Sequence, residues 1–122
     1  MKRDWDVIRE VLIEVEALDT HTRDKAQYSV THGQPADTDL KAEHALMLWE
    51  AGFIDASDAG ADEGPALLSP KLTWQGHDLL ETMRSPRVWN RIKTVAEEKG
   101  VELTFDAVKA LSKAALDWVL TG

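Results

Sequence analysis

Leu72-Thr73-Trp74-Gln75-Gly76-His77-Asp78-Leu79-Leu80 is the stretch that decides the fold of this 122-residue chain. Leu72 and Trp74 alternate around a threonine, as in a strand that returns to a core. Gly76 then opens a run in which Leu79, Leu80 and Met83 fall on one helical side. Upstream, Glu50-Ala51-Gly52-Phe53-Ile54 ends an earlier helix at a glycine and starts a strand. Asp55 to Pro65 lies between the two strands. It carries Gly60, Gly64 and no apolar residue larger than alanine, so it reads as a loop tip. The order is helix, strand, loop, strand, helix. It predicts an α+β, winged-helix-like fold: four to five helices with a small antiparallel sheet whose hairpin is the wing. Pro70 lacks the donor a ladder needs, which implies a sheet edge or a bulge.

The rest of the chain fits around this centre. Asp4 caps a first helix over about 4–18, with Trp5, Ile8, Val11, Leu12, Val15 and Leu18 as its apolar stripe. Asp19 to Ala36 is polar and mixed, apart from a short strand over Tyr28–Thr31, where Tyr28, Val30 and His32 alternate with Ser29 and Thr31. Asp37 or Thr38 caps a helix over 37–51, with Leu40, His44, Met47, Leu48 and Ala51 inward. The hairpin strands are Phe53–Ala56 and Leu67–Trp74. His77 to Arg84 is helical. Ser85-Pro86 is a cap followed by proline at the first helical position, and Gly100 ends the helix 86–99. Thr104 caps the last helix, 104–120. By length the chain is one domain, 1–122, with helices 86–99 and 104–120 packed on it.

Composition excludes several functions. There is no cysteine, so disulfides, zinc-thiolate sites and thiol catalysis are absent. The start Met1-Lys2-Arg3-Asp4-Trp5-Asp6 has no apolar segment of a signal peptide, and no apolar run approaches the ~20 residues of a membrane span. The expected location is the cytoplasm. The net charge is −8, which opposes contact with nucleic acid unless the cations gather on one face.

Four quoted segments, in order, resemble a known family. They are Met1-Lys2-Arg3-Asp4-Trp5-Asp6-Val7-Ile8-Arg9, then His44 with Leu48-Trp49-Glu50-Ala51-Gly52-Phe53-Ile54, then Leu72 to Leu80, then Trp89-Asn90-Arg91-Ile92-Lys93. Together they are similar to the family catalogued as domain of unknown function 2513, found in bacterial and prophage genomes. The resemblance covers almost the whole chain. It implies a winged-helix-like fold and supplies no catalytic residue to carry over. Glu43 stands where the family usually has an aromatic residue.

Candidate sites are few. The helix 37–51 holds the place of a recognition helix, and a winged helix normally fits two helices between its first strands. Only about 20 residues separate Thr31 from Phe53, so the helix-turn-helix is expected to be truncated. Its outer face and the wing present Asp37, Asp39, Glu43, Glu50, Asp55, Asp58, Asp62 and Glu63 against Lys41 alone. Base readout needs Arg, Lys, Asn or Gln there, so this surface is either a solvated face or an acidic interaction face for a protein. The basic cluster is Arg84, Arg87, Arg91 and Lys93, with no acid from Thr82 to Ala96. Its ordinary reading is pairing with the chain's own acids, and its functional reading is a face for a phosphate backbone or an acidic protein patch.

No metal site is expected. His77 and Glu81 at i and i+4, with His44, make no dense ligand set, and a packed His44 is the better reading. No phosphate loop, nucleophile elbow or cofactor motif occurs. The expectation is a non-enzymatic, cofactor-free binding module acting by protein–protein contact, in the prophage setting a modulator of host machinery or an anti-defence protein. The alternative is a DNA-binding transcriptional regulator that uses 84–93. Five tryptophans are present; Trp74 and Trp89 are expected in the core. The wide apolar surface of the last helix at Leu116, Trp118, Val119 and Leu120 suggests a homodimer contact.

Overall fold

The computed structural model describes residues 3–30, 35–60 and 64–121. Among them are six helices and three strands: α1 Trp5–Glu16, α2 Thr20–Arg23, β1 Gln27–Ser29, α3 Ala36–Glu50, β2 Ile54–Asp58, β3 Ala66–Leu72, α4 Trp74–Met83, α5 Pro86–Lys99 and α6 Phe105–Thr121. The class is α+β, and the sheet is antiparallel in the order β1-β3-β2. A single helix, α3, lies between β1 and β2. Two compact units emerge, Met1–His77 and Asp78–Gly122.

In the first unit the apolar stripe of α1 buries Ile8, Val11, Leu12 and Val15, as its periodicity requires. Asp4 caps it, its Oδ1 accepting from the amides of Asp6 and Val7 at 3.0 and 3.3 Å. α3 buries Ala42, His44, Ala45 and Leu48. The two alanines let its backbone approach its neighbours closely. Asp37 and Thr38 do not cap α3; the cap position is Pro35, with no side-chain bond, and both residues sit in the first turn. Asp37 and Asp39 there oppose the positive helix end, a favourable placement.

His44 is fully buried. Its Nε2 accepts from the Asp4 backbone amide at 2.8 Å, which fixes that nitrogen as unprotonated. Nδ1 therefore carries the proton and donates to the Leu40 carbonyl, 2.7 Å away. The imidazole thus pins the start of α1 to α3 and has no nitrogen left for a metal. His44→Leu keeps the volume but leaves the Asp4 amide without its acceptor. An unfolding free energy lower by about 1–3 kcal/mol is expected in urea titrations. A loss within about 0.5 kcal/mol would mean water replaces the ring.

α2 was not expected in the polar stretch 19–36. Its signal is local: Asp19 accepts from the amides of His21 and Thr22, both at 2.8 Å, while Thr22 Oγ1 accepts from the Asp19 amide at 2.9 Å. These reciprocal bonds form a capping box. They hold the Asp19 carboxyl below the usual range. The strand predicted at 28–31 is β1, Gln27–Ser29; Thr31 and His32 lie outside the described residues.

The centre of the motif differs from its reading in one respect. β3 ends at Leu72, and α4 starts at Trp74 rather than after Gly76. Thr73 makes the turn: its hydroxyl donates to the Gly52 carbonyl at 2.6 Å and accepts from the Gly76 amide at 3.1 Å. The period of two stops at Thr73 and the helical period takes over. Trp74, expected in the core, is therefore 84% exposed, while Gly76, Leu79, Leu80 and Met83 are buried.

β3 is the central strand, and Pro70 within it marks a bulge rather than an edge. Asp55 pairs with Lys71 and Ser57 with Leu68, so β3 carries one residue more than β2 across this step. β2 runs on to Asp58, so Asp55 and Asp58 belong to a strand and not to the loop tip.

In the second unit the start and stop signals of the helices hold. Ser85 accepts from the Val88 amide with Pro86 at the first helical position, and Gly100 closes α5 in the left-handed conformation at φ 64°. Thr104 caps α6 by accepting from the Ala107 amide at 3.1 Å. Val88, Trp89, Ile92 and Ala96 of α5 are buried, as are Val108 and Ala115 of α6. Trp89 is 2% exposed.

Candidate functional site

Charge is partitioned between the units. Met1–His77 carries seven lysines and arginines against fifteen aspartates and glutamates, whereas Asp78–Gly122 carries seven of each. The whole excess of −8 therefore belongs to the first unit.

Of the eight acids of the expected interaction face, Asp62 and Glu63 lie outside the described residues. Asp39, Glu43 and Glu50 stand four and seven residues apart on α3, so they share one side, opposite Ala45 and Leu48. Like charges at i and i+4, as for Asp39 and Glu43, cost a helix about 0.2–0.5 kcal/mol. Asp37 projects elsewhere and lines a hollow of about 310 Å³ with Glu14, Tyr28 and Lys41. Asp55 faces Lys71 at 3.7 Å. Asp58 Oδ1 accepts from the Gly60 amide at 2.9 Å and so shapes the turn after β2. The acids thus divide into an outward stripe on α3 and separate residues on β2.

The hollow at Glu14 is a closed set of partners. Lys41 Nζ bonds Glu14 Oε2 at 2.6 Å, and the Tyr28 hydroxyl donates to Glu14 Oε1 at 3.3 Å. Burial, then the Glu14 charge, raises the Tyr28 phenol above its ordinary value of 10.0. The Glu14 hydrogen bond and charge raise the Lys41 amine above 10.5. Both groups hold their protons more firmly folded than unfolded. Their stabilisation is complete below the unfolded values and is lost as pH rises towards the folded ones. Urea midpoints are therefore expected to fall above about pH 10, and Glu14→Gln is expected to flatten that fall. An equally steep fall in the variant would mean that other groups cause it.

Each cation of the basic cluster has a neighbouring side chain. Arg84 donates to Glu81 through Nε at 3.0 Å and Nη2 at 2.7 Å. Arg87 and Arg91 lie over the ring of Trp118, at 5.6 and 4.6 Å from its centroid. Lys93 lies 5.6 Å from the Trp89 centroid. Arg84 is paired with an acid of the chain, while Arg87, Arg91 and Lys93 stand against tryptophan faces, where a cation meets the negative π surface. Trp118, 42% exposed, is a partner that no local pattern around 84–93 indicates. Its signal was aromatic content on a neighbouring helix, which has no fixed spacing to α5. Beside it Leu116 and Leu120 are exposed, at 48% and 73%.

His77 is exposed, and Glu81 is engaged by Arg84. Among the described residues no group of three or more His, Asp or Glu side chains is placed to hold a metal ion. No helix among them is long and apolar enough to cross a membrane.

Comparison with known proteins gives a family and no activity. The family model described as "Hypothetical protein (DUF2513)" matches residues 2–102. A protein of Haemophilus influenzae (strain ATCC 51907 / DSM 11121 / KW20 / Rd), described as "Uncharacterized protein", is 33% identical over 120 residues, covering 98% of this chain and 99% of that one. No solved structure matches. The match runs from the start of α1 through the hairpin and the Leu72–Leu80 junction to the end of α5, and the chain belongs to the family catalogued as domain of unknown function 2513.

Proposed function

We propose that this protein is a non-enzymatic binding module that works by protein–protein contact, its acidic first unit docking on a basic surface of a partner. The observation that carries this reading is the confinement of the entire −8 charge to Met1–His77, with Asp39, Glu43 and Glu50 aligned on the outer side of α3. Charge of one sign gathered on one surface speeds encounter with an opposite field more than it tightens the final complex. The setting is the cytoplasm, and the role is that of a phage-encoded modulator of host machinery or an anti-defence protein with a winged-helix-like scaffold. Exposed Leu116, Trp118 and Leu120 on α6 support self-association as a homodimer.

Affinity capture from the host, followed by association kinetics across ionic strength, tests the reading. Asp39→Asn, Glu43→Gln and Glu50→Gln together are expected to slow association several-fold at low salt and to flatten its salt dependence, with dissociation little changed. Association as fast as the parent at low salt would reduce the stripe to a solvated face. The second reading, a DNA-binding regulator, is favoured by Arg87 and Arg91 lying side by side on α5. It requires random duplex to bind at or below the usual non-specific range of about 10⁻⁴–10⁻⁶ M at physiological salt, and to weaken when Arg87 and Arg91 become glutamate. The expected result is weaker binding than that range.

A further inference from the structure

The bulge in β3 opens a polar cavity of about 340 Å³, lined by Arg23, Asp55, Ala56, Ser57, Ser69 and Lys71. Four observations meet there. First, Ser69 has φ 54°, the one left-handed non-glycine among the described residues. A side chain in that region is strained, and such strain gathers at binding sites. The strain serves the bulge: the Ser69 amide still reaches the Ala26 carbonyl at 3.1 Å, and the extra residue turns the strand aside between Lys71 and Leu68. Second, Arg23 Nε is buried without a hydrogen-bond partner among the described residues. A buried charged donor left unmet is costly, so an acceptor brought to it is favoured. Third, two cations, Arg23 and Lys71, line the same cavity, with Asp55 as the single acid, loosely placed 3.7 Å from Lys71. Fourth, Ser57 and Ser69 add hydroxyls that make no hydrogen bond among the described residues.

The donor set decides the ligand class. Arg23 Nη2 donates to the Leu18 carbonyl at 3.3 Å, so the Nε–Nη2 edge that would grip a planar carboxylate with two parallel bonds is already divided. What remains is a set of separate donor groups on several elements: the Arg23 guanidinium from α2, the Lys71 ammonium and Ser69 hydroxyl from β3, and the Ser57 hydroxyl from β2. Separate donors around a hollow suit an anion with oxygens in several directions. We propose that this cavity binds a tetrahedral oxyanion, the phosphate group of a small molecule, either free phosphate or a phosphomonoester. Nε, buried as it stands, needs a turn of the Arg23 side chain to meet a phosphate oxygen, and the unmet bond favours that turn. Lys71 leaves Asp55 to reach the same group. A polyanion such as nucleic acid does not fit, because the surrounding unit carries the whole −8 and repels a long anion beyond the cavity.

Titration of the full chain with inorganic phosphate, glycerol phosphate, sulfate and acetate at constant ionic strength tests this, read by calorimetry and by nitrogen–proton spectra that include the Arg23 Nε–H. The expected result is saturable binding of phosphate and sulfate, with shifts at Arg23, Ser57, Ser69 and Lys71, and weaker binding of acetate. Arg23→Gln is expected to weaken phosphate binding at least about tenfold, Lys71→Gln about threefold, and Asp55→Asn to tighten it about threefold by removing the competing carboxylate. Tighter binding of glycerol phosphate than of inorganic phosphate assigns the site to an ester; the reverse order assigns it to free phosphate. Shifts that do not saturate, or equal affinity in parent and Arg23→Gln, overturn the proposal. Should Arg23→Gln not fold, Asp55→Asn and Ser57→Ala decide: opposite changes in affinity support the site, and unchanged affinity in both overturns it.

Discussion

Truncation of Trp89 to alanine is expected to destabilise the chain by about 3–5 kcal/mol, the cost of removing a large aromatic from a packed interior. Trp89 stands on the buried side of α5 with Val88, Ile92 and Ala96 and is 2% exposed. The same change at Trp74, 84% exposed at the start of α4, is expected to stay within about 0.5 kcal/mol of the parent. Urea unfolding of the two variants side by side checks both. A loss at Trp89 below about 1 kcal/mol would mean the second unit packs otherwise than described. A loss at Trp74 as large as at Trp89 would place that ring in a core after all.

Gly76→Ala carries the second large effect. A Cβ at this position would lie inside the van der Waals surface of the Phe53 carbonyl oxygen and against the Phe53 carbonyl carbon and the Leu72 side chain. Both carbonyl atoms are backbone, so no side chain can swing away. The strand β2 or the helix α4 would have to move, and the expected cost is about 3 kcal/mol or more, at or beyond the upper end for overpacking. The loss is read as a fall in the urea midpoint together with shifted backbone resonances at Phe53 and Thr73. A variant with parent stability would show that the hairpin and α4 part easily, which the bonds from Thr73 to Gly52 and Gly76 argue against. Gly100→Ala makes a useful control. A Cβ there meets nothing, and only the left-handed φ of 64° opposes it, so a cost of about 1–2 kcal/mol is expected.

These two predictions explain the motif from which the fold was read. Leu72 pairs with Ile54 and closes the core at the end of β3. Thr73 fastens the end of α3 to the start of α4. Gly76 permits the close approach to Phe53. Each has a packing duty. Trp74 has none that the structure shows, and a ring exposed to 84% on the acidic unit is available to a partner.

The elements were legible wherever their signals are local. Asp4, Ser85-Pro86, Gly100 and Thr104 act on backbone groups within four residues, so they mark helix ends whatever the rest of the chain does. Apolar steps of three and four placed Ile8, Val11, Leu12 and Val15, and later Val88, Trp89 and Ile92, on buried sides. Pro70 announced the bulge because a missing donor is a property of the residue. The Asp19–Thr22 capping box was equally local and went unread, since so short a helix has no apolar stripe to draw attention to it.

What only the tertiary structure decided is the fate of each polar and aromatic group. A period of two would carry Trp74 inward with Leu72. The chain changes period at Thr73 because Gly52, 21 residues earlier, offers its carbonyl to that hydroxyl. His44 meets Asp4 across 40 residues, and no local pattern encodes that encounter. Arg87 and Arg91 find the Trp118 ring rather than acids, although both charge types abound in sequence. Arg23 Nε is buried with no acceptor among the described residues. Sequence by itself determined most of the helices and strands, that one end of the chain is acidic, and that no cysteine is there to form a metal-thiolate site. Registry between distant segments determined which charges pair, which tryptophan is buried and where a cavity forms, because burial and hydrogen bonding depend on partners that the local chain does not contain.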